Sequence, residues 1–408
     1  MKKSIKLAVV AALALGATSA FATNGATLIG MGAKARGMAG TGIGMSHGAE
    51  SALTNPALIT SVEGTEISFG GTLFMPDVSY GSEGGTTADS DADMNMIPEV
   101  SLATKINDNF YVGIGMWGTG GMGVDYRDAA ASAGTMNMVT NLQLMQFGVP
   151  LAYKVNGLSV AITPILQYGS LDINYVADTT GDGNANDNGM GVAQDLEFGY
   201  NIGLAYEMNN ITVGAIYKSK IDMEYKGFGR LVNPFTGMAD GYTNDTLSTP
   251  AELGLGASYK MNEHTVAIDY KRIKWSDASG YKDFEWDDQD VISLGYEYNT
   301  EEWAVRVGYN YASSPISEQN YSGKNSANLS APTVNMFNLL GFPAVVESHY
   351  AIGGSYALNK QTSVDVAFTY APEVTETYSA YDQQNARYYD ITTKHSQTGV
   401  SAQLNFNF

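Results

Sequence analysis

"VSAQLNFNF", residues 400–408, sets Val400, Ala402, Leu404, Phe406 and Phe408 in strict alternation with Ser401, Gln403, Asn405 and Asn407. Alternation with period two is the pattern of a strand with one apolar and one polar face, and on a helix the same apolar residues would spiral round the axis. A strand running to the last residue of a chain frays unless neighbours hold both its edges, and a closed barrel supplies both neighbours.

The other end of the chain agrees. Lys2, Lys3 and Lys6 precede the apolar run "LAVVAALALGA" (7–17) and the small residues Ala20 and Ala22. Residues 1–22 therefore read as a secretory signal peptide cleaved after Ala22. The run is too short for a membrane anchor, and no later stretch holds 18 uninterrupted apolar residues, so any membrane span must be made of strands. A hydrophobic content of 44% suits a soluble chain and equally suits a barrel whose lipid-facing apolar residues alternate with polar ones.

With no cysteine, the chain has neither disulfides nor thiol chemistry. Its net charge of −20 makes nucleic acid an unsuitable partner. No cofactor and no metal are expected. The acidic segment "DTTGDGNANDNG" (Asp178–Gly189) lacks the Gly and Glu that a calcium loop needs at its sixth and twelfth positions, and His47, His264, His349 and His395 show no ligand spacing.

Alternating runs recur from about residue 66. Short Asn-bearing spacers, "NDN" (107–109), "NG" (156–157), "NN" (209–210), "NEH" (262–264), "NTEE" (299–302) and "NK" (359–360), have the residue types of tight hairpins. Long polar connections fall between them, near 81–96, 124–138, 177–193, 227–249, 279–287, 313–346 and 374–390. Short and long spacers alternate, which predicts an all-β fold: a transmembrane antiparallel barrel of about 14 strands, with both termini on the short-turn, periplasmic side. "LEFGYNIGLAYEM" (196–208) illustrates one strand, with Leu196, Phe198, Tyr200, Ile202, Leu204, Tyr206 and Met208 on a single face. Tyr153, Tyr206, Tyr259, Tyr298 and Tyr356 sit beside the short turns, where an aromatic girdle belongs.

Residues 23–63 do not alternate. They are rich in Gly, Ala and Met, too glycine-laden for a stable isolated helix, and they precede a barrel, residues 64–408, too wide for side chains to fill. The segment is the expected plug, or hatch. Within it "GMGAKA" (30–35) imitates a dinucleotide fingerprint and "GMSHG" (44–48) a nucleophile elbow around Ser46, but neither has the strand and helix such motifs require.

The start "TNG", the Gly-rich run and "SALTNPALI" with Asn55, Pro56 and Ala57 resemble the plug of the outer-membrane transporters for long-chain fatty acids and aromatic hydrocarbons, the FadL/TodX type. "GIGMWGTGGMGVDY", "YKRIKWS", "WAVRVGYNYASSPI" and the terminal strand extend the likeness over the mature chain. The resemblance implies a non-enzymatic monomer that passes hydrophobic small molecules by passive diffusion. It also implies an outer greasy groove, a pocket against the plug and a lateral gap in the wall where the third strand kinks inward. Partners are then the hydrophobic substrate, outer-membrane lipid, and barrel-insertion machinery that reads the terminal Phe408.

Carried onto this chain, the kink falls at Gly118, Gly120 and Gly121, which serve either a bend or close packing on the plug. The groove falls on Met336, Phe337, Leu339, Leu340 and Phe342 of one long loop, with Phe228, Leu231, Phe235 and Met238 of another; these residues either capture ligand or pack the loops together. Met31, Met38 and Met45 either line the plug pocket or seal plug against wall. Lys34, Arg36, Arg272 and Arg306 are candidate partners for a carboxylate head group. Two rival functions are a general porin for small hydrophilic solutes, which needs an open lumen, and an outer-membrane lipid-acting enzyme, for which only Ser46 and His47 stand adjacent.

Overall fold

The computed structural model describes residues 24–178, 184–236, 241–382 and 386–408; the expected signal peptide lies outside them. Fourteen antiparallel strands form one closed sheet. In chain order, β1 is Thr65–Ser82, β2 Asn95–Lys105 and β3 Phe110–Asp125. β4 runs Val139–Gly148 and resumes at Leu151–Val155; β5 is Leu158–Ala177, β6 Ala193–Met208 and β7 Ile211–Lys218. β8 is Glu252–Met261, β9 His264–Ile273, β10 Gln289–Asn299 and β11 Trp303–Ala312. β12 is Ser348–Asn359, β13 Thr362–Asp382 and β14 Arg387–Asn407.

Closure comes from β1 against β14, in register from Glu66 opposite Asn407 to Ser82 opposite Ile391. The alternation that opened the sequence is what this register uses. Val400 faces outward and is exposed, while Ser401, Gln403 and Asn405 point inward and are buried. The same parity holds round the wall: Ile292, Leu294, Val305 and Val307 face out, and Ser293, Glu297, Arg306 and Asn310 face in. Tyr153, Tyr206, Tyr259 and Tyr356 are exposed beside the short turns, as a girdle requires. Those turns exploit the tolerance of Asn for positive φ, at Asn156, Asn209 and Asn262.

One expected loop is not a loop. Residues 374–390 read as the seventh long connection, but β13 continues to Asp382 and β14 starts at Arg387, so this region is a tall two-stranded hairpin. Its sequence, "VTETYSAYD", is rich in β-branched and aromatic residues; Tyr378 and Ala380 turn inward onto the loop core, while Thr375 and Thr377 are exposed on the other face. Thr377 and Thr392 hydrogen-bond across it at 2.8 Å, and Tyr381 packs edge-on against Tyr388.

Residues 24–62 lie inside the barrel as short helical turns joined by extended pieces, the longest being Ala33–Gly37 and Pro56–Ser61. Glycines in the wall let this segment approach. A Cβ on Gly214 would stand 1.8 Å from the Ile43 carbonyl oxygen, so only glycine fits there.

The parity assigns each outward position a cost for charge that depends on depth. Leu294→Arg, near mid-strand, is expected to destabilise the folded barrel by about 2–4 kcal/mol, and Tyr298→Arg, beside the short turn, by about 0–1 kcal/mol. Urea titrations in lipid vesicles, followed by heat-modifiable gel mobility, check the difference.

Candidate functional site

The wall is not uniformly paired. β2 and β3 are hydrogen-bonded from Lys105 opposite Tyr111 up to Glu99 opposite Trp117, and no pairs between them continue above that point. From there β3 keeps only β4, with a register shift between Gly118 and Gly120. Residues 117–124 are buried on both faces, which means this half of β3 has turned into the lumen. The connection leading into β2 meets the far end of β3, where the Asp91 N–H donates to the Asp125 carbonyl at 2.8 Å and the Asp125 N–H to Ser90 Oγ at 2.9 Å. The break in pairing between β2 and β3 is thereby bounded at both ends.

The backbone groups that β2 abandons are taken over by the N-terminal segment. Leu28 N–H donates to the Thr119 carbonyl at 3.2 Å, and Gly121 N–H to the Ala26 carbonyl at 3.0 Å. A Cβ on Gly120 would stand 2.3 Å from that same Ala26 oxygen. The register shift between Gly118 and Gly120 and the contacts of Gly120 and Gly121 with Ala26 fall on the same stretch of strand. Leu28 of the inner segment packs with Phe74 and Ile97 of the wall in one buried apolar cluster.

At the long-loop end, helix Phe228–Thr236, the turns around Trp275–Phe284 and the segment 331–342 converge on one apolar cluster. Phe228, Leu231, Phe337, Leu339 and Leu340 are all buried in it, and Met336 and Phe342 pack against it. The side chains of Phe235 and Met238 lie outside the described residues. Sequence reasoning missed the other half of the cluster: Trp275, Tyr281 and Trp286 form a mutual ring contact with centroids 4.6–5.1 Å apart, and Phe284 stacks on Phe337 at 5.3 Å. The aromatic density of "YKDFEW" (281–286) was the available signal. The cavity bordered by Phe228, Tyr281, Phe284, Trp286, Phe337 and Phe342 is only about 20 Å³, room for one water, so the loops pack on one another. Inward threonines tether the oily segment, Thr140 Oγ1 donating to the Gly341 carbonyl at 2.6 Å and Thr393 Oγ1 to that of Leu339 at 2.8 Å.

Asn55 is fully buried and acts as a clip. Its Nδ2 donates to the Ile43 carbonyl at 2.8 Å and to the Leu204 carbonyl of β6 at 2.9 Å, while Oδ1 accepts from the Ala57 N–H at 3.1 Å. Pro56 opens the following turn, where its missing N–H costs nothing. This tripeptide fastens the inner segment to the wall. Met38 and Met45 do likewise, packed with Ala267, whereas Met31 borders two small cavities.

The candidate cations are all engaged. Arg36 Nη1 donates to Glu99 at 2.8 Å, Arg306 Nε to Glu297 at 2.6 Å, and Arg272, at the long-loop end, pairs with Asp288. Lys34 lies 3.8 Å from Glu50, 3.9 Å from Glu66 and 3.8 Å from Asp365. Burial works against its charge, but those carboxylates, Asp365 foremost, hold its pKa above the usual lysine value. Burial pushes the Glu50 carboxyl up to about 8, with Lys34 opposing, and its partner is the Gln403 side chain. Ser46 Oγ contacts Ser61 Oγ at 2.6 Å, while the His47 ring turns away to the Thr41 carbonyl at 2.7 Å, so these neighbours do not form a dyad.

Two outcomes follow for the inner segment, which carries tryptic sites at Lys34 and Arg36. Asn55→Ala leaves buried backbone groups short of partners at about 1–3 kcal/mol each, so tryptic cleavage should accelerate while the barrel keeps its folded gel mobility. Glu50 has a raised folded pKa, so its contribution is complete below about 4.3 and is lost as pH rises through about 8. Cleavage should therefore increase between pH 7 and 9 relative to Glu50→Gln, in which that pH dependence is absent.

A family model described as outer membrane protein transport protein (OMPP1/FadL/TodX) matches residues 7–408. The long-chain fatty acid transport protein of Escherichia coli K12 is 25% identical over 398 residues, covering 81% of this chain and 85% of that protein. Among solved structures, a Pseudomonas aeruginosa FadL homologue superposes with a TM-score of 0.70 at 15% identity, over 94% of this chain and 100% of that one. The P. putida toluene transporter TodX gives 0.68 at 19% identity, over 93% and 99%. These two likenesses are of fold. With the family model spanning almost every residue, the chain belongs to the OMPP1/FadL/TodX family of outer-membrane transport proteins.

Proposed function

We propose that this protein takes up hydrophobic small molecules, long-chain fatty acids or aromatic hydrocarbons, across the outer membrane by passive diffusion, releasing them sideways through the window between β2 and β3. The observation that carries the proposal is that window: a strand whose outer half leaves its neighbour, with apolar side chains in the breach. In a barrel built to pass polar solutes, an unpaired stretch of wall at membrane depth has no use and is costly. For an apolar molecule it is an exit into surroundings it prefers, because a water-filled path offers no favourable solvation.

The oily chamber of Phe228, Leu231, Phe337, Leu339, Leu340 and Phe342, completed by Trp275, Tyr281 and Trp286, is the entry site in this reading. The enclosed cavities near it and beside Met31 are each about 20 Å³, so passage requires the inner segment and loops to shift. Residues 23–63 are the hatch that moves, with Asn55, Pro56 and Ala57 as its fixed point. The termini lie in the periplasm, the protein acts as a monomer without catalysis, and the strand ending in Phe408 addresses the insertion machinery. The relatives named as fatty acid and toluene transporters support the substrate class, and a lumen occupied by residues 24–62 speaks against a general porin.

A disulfide tests the exit. A Cβ on Gly118 would lie 3.9 Å from Ile97 Cβ, within disulfide range, and the chain has no other cysteine. In cells lacking their own hydrophobic-substrate transporter, wild type should take up labelled toluene or oleate. Ile97→Cys/Gly118→Cys should do so only when reduced, because the bridge pins β2 to β3 across the window. Uptake unchanged by oxidation would place the exit elsewhere, and free entry of arabinose without either apolar compound would make the protein a porin.

A further inference from the structure

Three inward side chains, His349 on β12 and His395 and Gln397 on β14, are scattered in sequence and joined in space. They are buried to 2, 2 and 3% exposure. His395 Nδ1 lies 2.9 Å from the carbonyl oxygen of Pro343, in the oily outer loop. A carbonyl only accepts, so Nδ1 bears the proton. Nε2 of the same ring lies 3.2 Å from Gln397 Nε2, which only donates, so His395 is neutral and accepts there. Gln397 Oε1 is then turned to His349 Nε2 at 3.2 Å, and an amide oxygen only accepts, so His349 donates from Nε2. The loop carbonyl has set the direction of every bond in the chain.

His349 Nδ1 is left over. It is buried and has no hydrogen-bond partner. Arg36 lines the same cavity, and an imidazolium beside that guanidinium and away from water would be strongly unfavourable. The ring is therefore neutral and Nδ1 carries a lone pair, an acceptor waiting for a donor. His349 lines a cavity of about 20 Å³ together with Leu28, Ile29, Phe74 and Ile97 and the hydroxyl-bearing Thr72 and Thr369. That is the room of one hydroxyl group.

We infer that this cavity is a subsite for the hydroxyl of an apolar phenol or alcohol, which donates its hydrogen bond to His349 Nδ1. The inference rests on the transport reading above and narrows its substrate class. An ionised carboxylate has no proton to donate, and the nearby cations Lys34, Arg36 and Arg306 already hold wall or plug carboxylates. A hydroxyl relieves an unmet buried acceptor, and a site built for a hydroxyl discriminates against the analogue lacking it. The cavity holds the hydroxyl alone, so the apolar body is accommodated only when Leu28, Phe74 and Ile97, which wall it, move apart.

The experiment is equilibrium binding of toluene and p-cresol, which share a ring and a methyl and differ by one hydroxyl, to the folded barrel in detergent, with decane and 1-decanol as the alcohol arm. After correction for partition into empty micelles, wild type should bind the hydroxylated member about three- to tenfold more tightly. His349→Leu should lose that preference and keep toluene binding. His349→Gln should retain the preference, its amide nitrogen donating to Gln397 and its oxygen replacing Nδ1. In ¹⁵N spectra of the wild-type protein, His349 Nδ1 should be unprotonated and should shift on adding p-cresol but not toluene, a readout independent of whether a variant folds. Equal binding of the two members, a preference surviving in His349→Leu, or an unmoved Nδ1 signal would overturn the subsite while leaving transport intact. Failure of every apolar probe to bind would overturn both.

Discussion

A polypeptide in hydrocarbon has no water with which to pair its amide groups, and each unpaired group there is expensive. Everything in this molecule follows from that constraint. The seventeen-residue register between β1 and β14 closes the sheet and removes the two edges that fourteen strands would otherwise expose. Closure at this size leaves a lumen wider than inward side chains can fill. The inward faces are polar because the outward faces must be apolar and the strand period is two.

A polar lumen sealed from water raises the same difficulty again, and the inner segment resolves it. Its short turns present carbonyls, amides and charged side chains to the wall, so Arg36 meets Glu99, Lys34 meets three carboxylates and Asn55 bridges Ile43 to Leu204. Buried ion pairs of this sort add little net stability, since desolvation offsets much of the attraction, but breaking one partner is severe. They specify where the segment sits. Apolar contacts complete the attachment, with Leu58, Ile59 and Val62 packed on Tyr111, Ala152 and Ala205 of the wall.

The break between β2 and β3 is where the wall's own ladder is interrupted. The outer half of β3 gives up β2 and takes Ala26 and Leu28 instead, so its backbone groups there remain paired. One segment thus supplies both the closure of the lumen and the missing strand of the breach. Any movement of it alters the two together, and the histidine–glutamine chain reaching from Pro343 to the cavity beside Leu28 ties the outer loop to the same place.

Much of this was legible residue by residue. Alternation fixed the outward and inward sets on β6 and β14, Asn marked the turns at Asn156, Asn209 and Asn262, and Gly118 and Gly120 marked the irregular strand. The hairpin above Ala371 was misread because its buried face is short, Tyr378 and Ala380 with Ile391 across from them, and polar residues such as Glu373, Thr375 and Thr377 surround it. Met38 and Met45 belong to the seam and Met31 to the cavities, and nothing in their common glycine-rich setting distinguishes them. The sequence by itself determined the strand period, the number of turns and the sidedness of the wall, because these arise from local geometry and from the solvent each face must meet. Only the tertiary structure decided that His349, Gln397 and His395 form one chain, that the four cations are already paired, and that Trp275 and Trp286 join Phe337, because those meetings depend on closing the sheet and bringing residues of different strands and loops to the same height in the lumen.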